Sequence, residues 1–420
     1  MPGTSGERGL IWNHARNGAG AILKRREGPW RLLRAGVSSM PNASVSVPNR
    51  NHVASHEPLI SVLIDTYNHE RYIEQAIVSA LEQDFPAADV EILVVDDGSI
   101  DKTSSIIQRF VPRVRYLRKE NGGQASAFNA GIPELRGRIV AFLDGDDWWA
   151  KGKLTAIAKA FEVNPEIAAV GHGFYEICES DPPREMIVPA NACRFDLSSA
   201  DAARFAGRGL TLLGTSRLSV RREVLNQIGP IPVELVFCAD TPILALTLAL
   251  GGAVILDQPL CYYRIHAGNL CAPGPNNAAK IRRIIEISEI FLRYIPIRLA
   301  EFGVPSEVTG AFFESIRVDL ERTKLQSGEK GGRWKVFRTE WDRFHTCYRR
   351  PTLGYLMFEC AVGACALLLP PRRFYQLLAW YGRNDLGRFR NILGRAEPKV
   401  PPEFFQRRTV AEGANCGRPD

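Results

Sequence analysis

Residues 138–149 read RIVAFLDGDDWW. Ile139 to Leu143 is an unbroken apolar run, as expected of a strand buried on both faces. It ends in Asp144, Asp146 and Asp147, with Trp148 and Trp149 behind them. Carboxylates this crowded repel one another, so the turn implies a compensating positive charge. The bland alternative is an acidic turn with capping aspartates, but a cap needs one Asp and not three.

Upstream the pattern recurs. LISVLID (59–65) is a second apolar run, followed by TYNHE. Ile73, Ala76, Ile77, Ala80 and Leu81 then trace one face of a helix. VEILVVDD (90–97) reads as a buried strand, and residues 98–110 as a helix with Ser99 or Asp101 as N-cap. A short strand over 114–120, a helix over 124–135 and a helix over 153–165 complete the series. Strands alternating with helices at this spacing predict a doubly wound, mostly parallel sheet. Residues 178–210 read as irregular, 211–229 as strand then helix, 238–252 as a strongly apolar helix and 253–266 as a strand. From Asn276 onward the chain reads mostly helical.

The chain has 420 residues, 45% of them hydrophobic, enough for a sizeable core. Its net charge of +7 is unevenly spread. Residues 1–57 carry eight Lys/Arg against three Asp/Glu, and residues 371–420 carry ten against five. The middle is mildly acidic. That is a poor footprint for nucleic acid and a better match to basic flanks near anionic lipid. Residues 1–57 show no sustained periodicity and read as a disordered basic tail, with a short basic helix near Ile22–Leu33. Nine scattered cysteines without a CxxC pair, and no basic-then-apolar leader, point to a cytoplasmic protein.

In open α/β sheets ligands bind beyond the carboxyl ends of the strands. Here those ends carry DTYNHE (65–70), DDGSID (96–101) and DGDD (144–147). A hard dication, Mn²⁺ or Mg²⁺, neutralises such a cluster and typically shares its shell with substrate phosphate oxygens. DDGS alone is ordinary turn chemistry. The order, spacing and strand-end placement make the combination specific.

PLISVLIDTYNHERYIEQAIVSALEQDFP (58–86), VEILVVDDGSIDKT (90–103), ENGGQASAFNAGI (120–132) and GRIVAFLDGDDWW (137–149) together resemble the family 2 inverting glycosyltransferases of GT-A fold, non-processive bacterial type. The resemblance runs from about Pro58 to Asn269. It implies a nucleotide-sugar donor, usually a UDP-sugar, a divalent metal (Mn²⁺ or Mg²⁺) and a carbohydrate or lipid-linked acceptor. It places Thr66, Tyr67 and Glu70 in the nucleoside pocket, Asp97 on the base, and Gly123 and Asn129 along the donor. Asp144 and Asp146 are the acidic ends of the DxD motif. By the same analogy Asp146 reaches the ribose or the metal, Asp147 ligates the metal, and His266 approaches the metal or the diphosphate. Arg264 has a similar claim on phosphate charge.

An inverting transfer needs a base for the acceptor hydroxyl. The resemblance assigns it to Asp240 in FCADTP, although Ala239 stands where the family commonly has Glu. A plain N-cap is the alternative role for Asp240, and a helix N-terminus would lower its pKa. Two further departures are Asp65 for the more frequent Pro and Ile100 for the usual Thr. Lys330 stands where processive members carry the Gln of Gln-x-x-Arg-Trp before Arg333-Trp334, which implies single addition.

The expected organisation is a tail (1–57), a GT-A domain (58–270) and a helical C-terminal region (271–420). Within the last, LGYLMFECAVGACALLLP (353–370) is the most apolar window, and aromatic and basic residues interleave through to 393. Segment 353–393 reads as membrane-associating on the cytoplasmic face of the inner membrane, with a buried core helix as the alternative. Glu359 within it opposes a mid-bilayer position. The rival functions are a nicotinamide-dependent oxidoreductase, which would need a Gly-x-Gly-x-x-Gly turn after the first strand, and a non-catalytic sugar-nucleotide binder of the same fold.

Overall fold

The computed structural model describes residues 57–178, 185–189, 191–266, 268–269, 278–350, 353–383, 397–398 and 405–409. The expected basic tail lies outside them but for Glu57, as do residues 384–393 of the apolar-to-basic segment.

Apolar runs too short for helices become the strands, and 3.6-period stretches the helices between them. In order these are β1 (Ile60–Thr66), α1 (Ile73–Leu81), β2 (Val90–Asp96), α2 (Thr103–Gln108), β3 (Arg115–Arg118), α3 (Gln124–Gly131), β4 (Ile139–Asp144), β5 (Trp148–Trp149) and α4 (Lys153–Val163). Then come β6 (Ala169–Cys178), β7 (Glu185–Pro189), β8 (Cys193–Phe195), α5 (Ala200–Arg208), β9 (Ser219–Arg221), α6 (Arg222–Ile228), α7 (Asp240–Leu250) and β10 (Ala253–Ile265). The C-terminal region holds α8 (Ala278–Glu301), α9 (Ser306–Phe312), α10 (Glu314–Gln326), α11 (Arg333–Cys347), β11 (Tyr348–Arg350), α12 (Leu353–Leu368), α13 (Pro371–Arg383), β12 (Glu397–Pro398) and β13 (Phe405–Thr409).

β4, β1, β2 and β3 are parallel neighbours, the doubly wound half of the sheet. β9 enters antiparallel between β4 and β6, and β10 runs parallel to β6 with breaks in register. The result is a mixed sheet of the GT-A type, followed by the expected helical C-terminal region. Ile287, Phe291, Ile295 and Leu299 of α8 join the main core, whereas Leu325, Val336, Ala366 and Phe374 form a smaller one among α10–α13. No helix among the described residues is long and apolar enough to cross a membrane.

Several local expectations change. Residues 178–210 are not irregular throughout: they contain β7, β8 and α5. α5 buries Ala203, Ala206 and Gly207, so it lacks a large-residue stripe. A Cβ on Gly207 would lie 2.3 Å from the Phe312 carbonyl oxygen, so close approach to α9 demands small residues. The helix expected over 98–110 is confined to Thr103–Gln108, because Ser99 and Asp101 are drawn into loop contacts. Residues 210–217 form two short 3₁₀ turns before β9, not a strand. Near the C-terminus β13 pairs with β7, a strand that the helical reading does not anticipate.

The amino ends of the strands are stitched together by Glu91. It accepts hydrogen bonds from Ser61 Oγ at 2.6 Å and Arg136 Nε at 2.8 Å, joining β1, β2 and the entry to β4. Burial alone would raise its pKa, but bonds from Ser61 and Arg136 outweigh it and hold the carboxyl below its ordinary 4.5. A depressed folded pKa contributes stability that is present above about pH 4.5 and lost as pH falls through the folded value. Glu91→Gln is expected to lower unfolding free energy at neutral pH by about 1–3 kcal/mol. Urea unfolding at a series of pH values should show that gap closing as pH falls below the ordinary 4.5.

Candidate active site

Parallel register sets Asp65 beside Asp144 and Thr66 beside Asp96 at the carboxyl ends of β1, β2 and β4. The loops that leave those ends hold each other. The Asn68 N–H donates to Ser99 Oγ at 2.9 Å, and the Ile100 N–H to Asn68 Oδ1 at 2.9 Å. The Glu70 N–H donates to Asp101 Oδ2 at 3.0 Å, and the Lys102 N–H to Glu70 Oε2 at 2.9 Å. Glu70 thus has a loop-binding task. Thr66 is buried with Oγ1 3.2 Å from His69 Nδ1, while Tyr67 stays 42% exposed.

Asp97 is buried and occupied by donors of its own chain. It accepts from Lys119 Nζ at 2.6 Å, the Gly123 N–H at 2.6 Å and the Gly122 N–H at 3.0 Å. This fixes the ENGG loop. Gly123 has φ +84, and a Cβ there would sit 2.5 Å from Val236 Cα, so only glycine fits. Beside Asp97 opens a depression of about 540 Å³ lined by Gly98, Arg118, Lys119, Glu120 and Asn121.

Carboxylate oxygens of Asp144, Asp146 and Asp147 lie within 4.8 Å of one another. Asp144 accepts from Gln124 Nε2 at 3.0 Å, and its backbone N–H donates to Ser216 Oγ at 3.1 Å. Asp146 Oδ2 is 3.0 Å from His266 Nε2 and 3.9 Å from His69 Nε2. Asp147 Oδ1 accepts the Arg264 N–H at 2.9 Å, while its buried Oδ2 has no hydrogen-bond partner. Asp65 Oδ1 is likewise buried and unpartnered.

Electrostatics follow from this packing. Burial and then the Asp146 charge raise Asp65 well above the carboxylate range, and burial and then Asp65 do the same to Asp144. Burial pushes Asp147 up to about 7, with Asp146 adding to it. Asp146 goes the other way: burial would raise it, but the His266 hydrogen bond and the His69 charge hold it down. An orphaned acceptor inside a cluster of carboxylates suits a dication, and the all-oxygen Asp set is the chemistry Mn²⁺ and Mg²⁺ prefer.

The aromatic residues behind the triad lock it in place. Trp149 Nε1 and the fully buried Lys153 Nζ both donate to the Ser216 carbonyl, at 3.0 and 2.8 Å. Burial lowers the Lys153 pKa to about 7. Arg264 lies over Trp148 at 4.5 Å and Tyr72 at 4.7 Å, and donates to the Asp146 carbonyl at 2.9 Å and Gln75 Oε1 at 2.6 Å. The guanidinium thus braces the acidic turn.

Asp240 is the first residue of α7, and Ala239 takes the cap position. Its Oδ2 accepts the Thr215 N–H at 2.8 Å and lies 3.2 Å from Thr215 Oγ1. It therefore does not cap its own helix. The helix end was expected to depress its pKa; burial raises it instead, with the Thr215 bond opposing. Ala239 is fully buried, and its N–H donates to Gln124 Oε1 at 3.0 Å. Gln124 Nε2 meanwhile reaches Asp144 at 3.0 Å and Thr215 Oγ1 at 3.2 Å, so one side chain ties the triad to the Asp240 helix.

Asn129 stands apart from this cluster. Its amide bonds Ile231 at both ends, Nδ2 to the carbonyl at 2.7 Å and Oδ1 from the N–H at 2.8 Å, anchoring the chain that leads to α7. Sequence reading misses His69, Gln124, Ser216 and Arg217. Arg217 lies over the Phe174 ring at 4.3 Å, has Nε and Nη1 without hydrogen-bond partners, and draws down both Asp147 and Asp240. His69 stands inside TYNHE and Gln124 opens α3; both signals were present but carried no spacing rule.

The sheet, with this acidic site at its strand ends, is of the GT-A type. Residues 61–229 match the family model described as Glycosyl transferase family 2. An uncharacterized glycosyltransferase of Nostoc sp. (strain PCC 7120) is 35% identical over 293 residues, 67% of this chain and 84% of the relative. The putative teichuronic acid biosynthesis glycosyltransferase TuaG of Bacillus subtilis is 43% identical over 177 residues, 41% of this chain and 66% of TuaG. Among solved structures, S. aureus TarS 1-349 in complex with UDP-GlcNAc aligns over 68% of this chain and 87% of that one, at 19% identity and TM-score 0.46. The chain belongs to glycosyltransferase family 2 and is a glycosyltransferase.

The raised Asp147 pKa means that the folded, ligand-free protein holds a proton which the unfolded chain releases above its ordinary 3.8. Stability should fall as pH rises from about 4 to about 7. Asp147→Asn is expected to stabilise the EDTA-treated protein at pH 8 by about 1–3 kcal/mol. Differential scanning calorimetry should also show that the variant loses the Mn²⁺-induced rise in melting temperature.

Proposed function

We propose that the protein is a metal-dependent inverting transferase. It moves a sugar from a nucleotide-diphospho-sugar, a UDP-sugar, to an acceptor hydroxyl in single additions. The reading rests on one observation above all: Asp144, Asp146 and Asp147 converge in a partly buried cluster in which the buried Asp147 Oδ2 has no hydrogen-bond partner. Asp146 and Asp147 would hold Mn²⁺ or Mg²⁺, with His266 beside them and Asp144 and Asp146 along the donor. Such an ion neutralises the donor diphosphate and stabilises it as a leaving group. Thr66, Tyr67 and Glu70 form the nucleoside side, where Asp97 shapes the ENGG loop and meets the base. Gly123 keeps the floor open, and Asn129 fixes the segment that carries Asp240.

Asp240 takes the acceptor proton as the hydroxyl oxygen attacks the anomeric carbon. The bond to the diphosphate breaks on the opposite face, so an α-linked donor yields a β product. A half-buried carboxylate with a raised pKa is a stronger base than a fully solvated one, which suits this step. Thr215 aims it, and Gln124 couples its helix to Asp144.

This chemistry belongs to residues 58–270, with 271–420 a helical appendage. Lys330 in place of Gln, and no membrane-crossing helix among the described residues, favour single addition. The acceptor is a carbohydrate or a lipid-linked sugar in cell-surface polysaccharide or glycolipid synthesis, in keeping with the putative teichuronic acid biosynthesis role of TuaG. The protein works in the cytoplasm, in peripheral contact with an anionic inner-membrane face.

A thermal-shift screen of nucleotide-sugars with and without Mn²⁺ identifies the donor. With that donor, Asp240→Asn is expected to slow transfer by about 10²–10⁴-fold while Mn²⁺-dependent donor uptake is retained. An unchanged rate in that variant would remove Asp240 as the base and leave a sugar-nucleotide binder as the better description of this site.

A further inference from the structure

We propose that the outward face of α12 is a docking surface for an anionic bilayer, lying in the headgroup region without crossing it. The inference deepens the peripheral membrane contact proposed above and is independent of the transfer chemistry.

Leu353 is 75% exposed, Met357 66% and Leu368 73%, and Ala361, Ala364 and Leu367 are exposed with them. On a 3.6-residue helix these positions fall within a sector of roughly 120°. The exposed Cys360 falls in the same sector, and none of these side chains is charged. The opposite side of the helix is committed to protein. A Cβ on Gly363 would lie 2.8 Å from the Phe337 ring, and Ala366 is buried with Val336, Leu325 and Phe374. Helical spacing puts Glu359, the one charged residue of α12, on that protein side, where it is half-buried. It therefore does not oppose contact between the outer face and lipid.

The ends of the stripe carry the charge that selects the occupant. Arg372 and Arg373 follow α12 directly and are exposed. Trp334, 66% exposed, lies on α11 one helical turn before Phe337. An apolar face followed directly by exposed arginines matches the polarity gradient of a bilayer surface, and arginine favours anionic headgroups. A second copy of the chain fits less well. Arg349-Arg350 precede the helix in sequence and Arg372-Arg373 follow it, so pairing in either direction sets arginine against arginine.

Flotation of the full chain with vesicles tests this. Vesicles of equal phosphatidylglycerol and phosphatidylcholine are expected to carry the protein, and phosphatidylcholine alone to carry far less. The triple variant Leu353→Glu, Met357→Glu, Leu368→Glu should bind the mixed vesicles at least about tenfold more weakly. Arg372→Gln with Arg373→Gln should lose about tenfold on the mixed vesicles, with little change on phosphatidylcholine. Both variants alter only exposed side chains and should keep wild-type melting and Mn²⁺-dependent donor uptake. Undiminished flotation of the triple variant overturns the assignment of this face. So does a wild-type chain that does not float but forms a dimer dispersed by the triple variant. Either result, with donor uptake intact, leaves the transferase reading untouched.

Discussion

Negative charge crowded out of water is the constraint on which the rest of the structure depends. Asp147 is buried, Asp65 and Asp144 are half-buried, and all three have raised pKa values beside an Asp146 held ionised by two histidines. A buried carboxylate without full partners destabilises a fold unless a cation or proton compensates. Such an arrangement is kept where the compensation is part of the function. Everything around the cluster serves to keep it in place: Trp149 and Lys153 on the Ser216 carbonyl, Arg264 braced between Trp148 and Tyr72, Gln124 reaching toward α7.

The sheet treats its two ends differently. At the amino ends Glu91 closes a hydrogen-bonded seam with Ser61 and Arg136, where polar groups satisfy one another. At the carboxyl ends satisfaction is partial. The loops bind each other through Asn68, Glu70, Ser99 and Asp101, yet leave Asp65 Oδ1 and Asp147 Oδ2 unpartnered. The stable end carries the fold, and the incompletely satisfied end is free to meet a ligand.

Much of this was legible from residue order. β1, β2 and β4 are each an apolar run that stops at an aspartate, and the strand-end position of DGDD could be read without coordinates. What escaped reading depends on tertiary packing. α5 hides behind alanines because its neighbour α9 approaches too closely for larger side chains. β13 exists by pairing with β7 far away in sequence. The pKa of Asp240 reverses its expected direction because burial, which no local pattern encodes, outweighs the helix end. Arg264 and Asn129 show the same limit: residue type announces polarity, but their partners come from distant segments.

The most direct test of a cation socket is calorimetric titration of the UDP-sugar into the folded protein, once with Mn²⁺ and once with EDTA. Saturable uptake with Mn²⁺ that disappears in EDTA, and in Asp146→Asn, is the predicted result. Equal affinity with and without the metal would show that the carboxylates at the ends of β1 and β4 serve some other purpose.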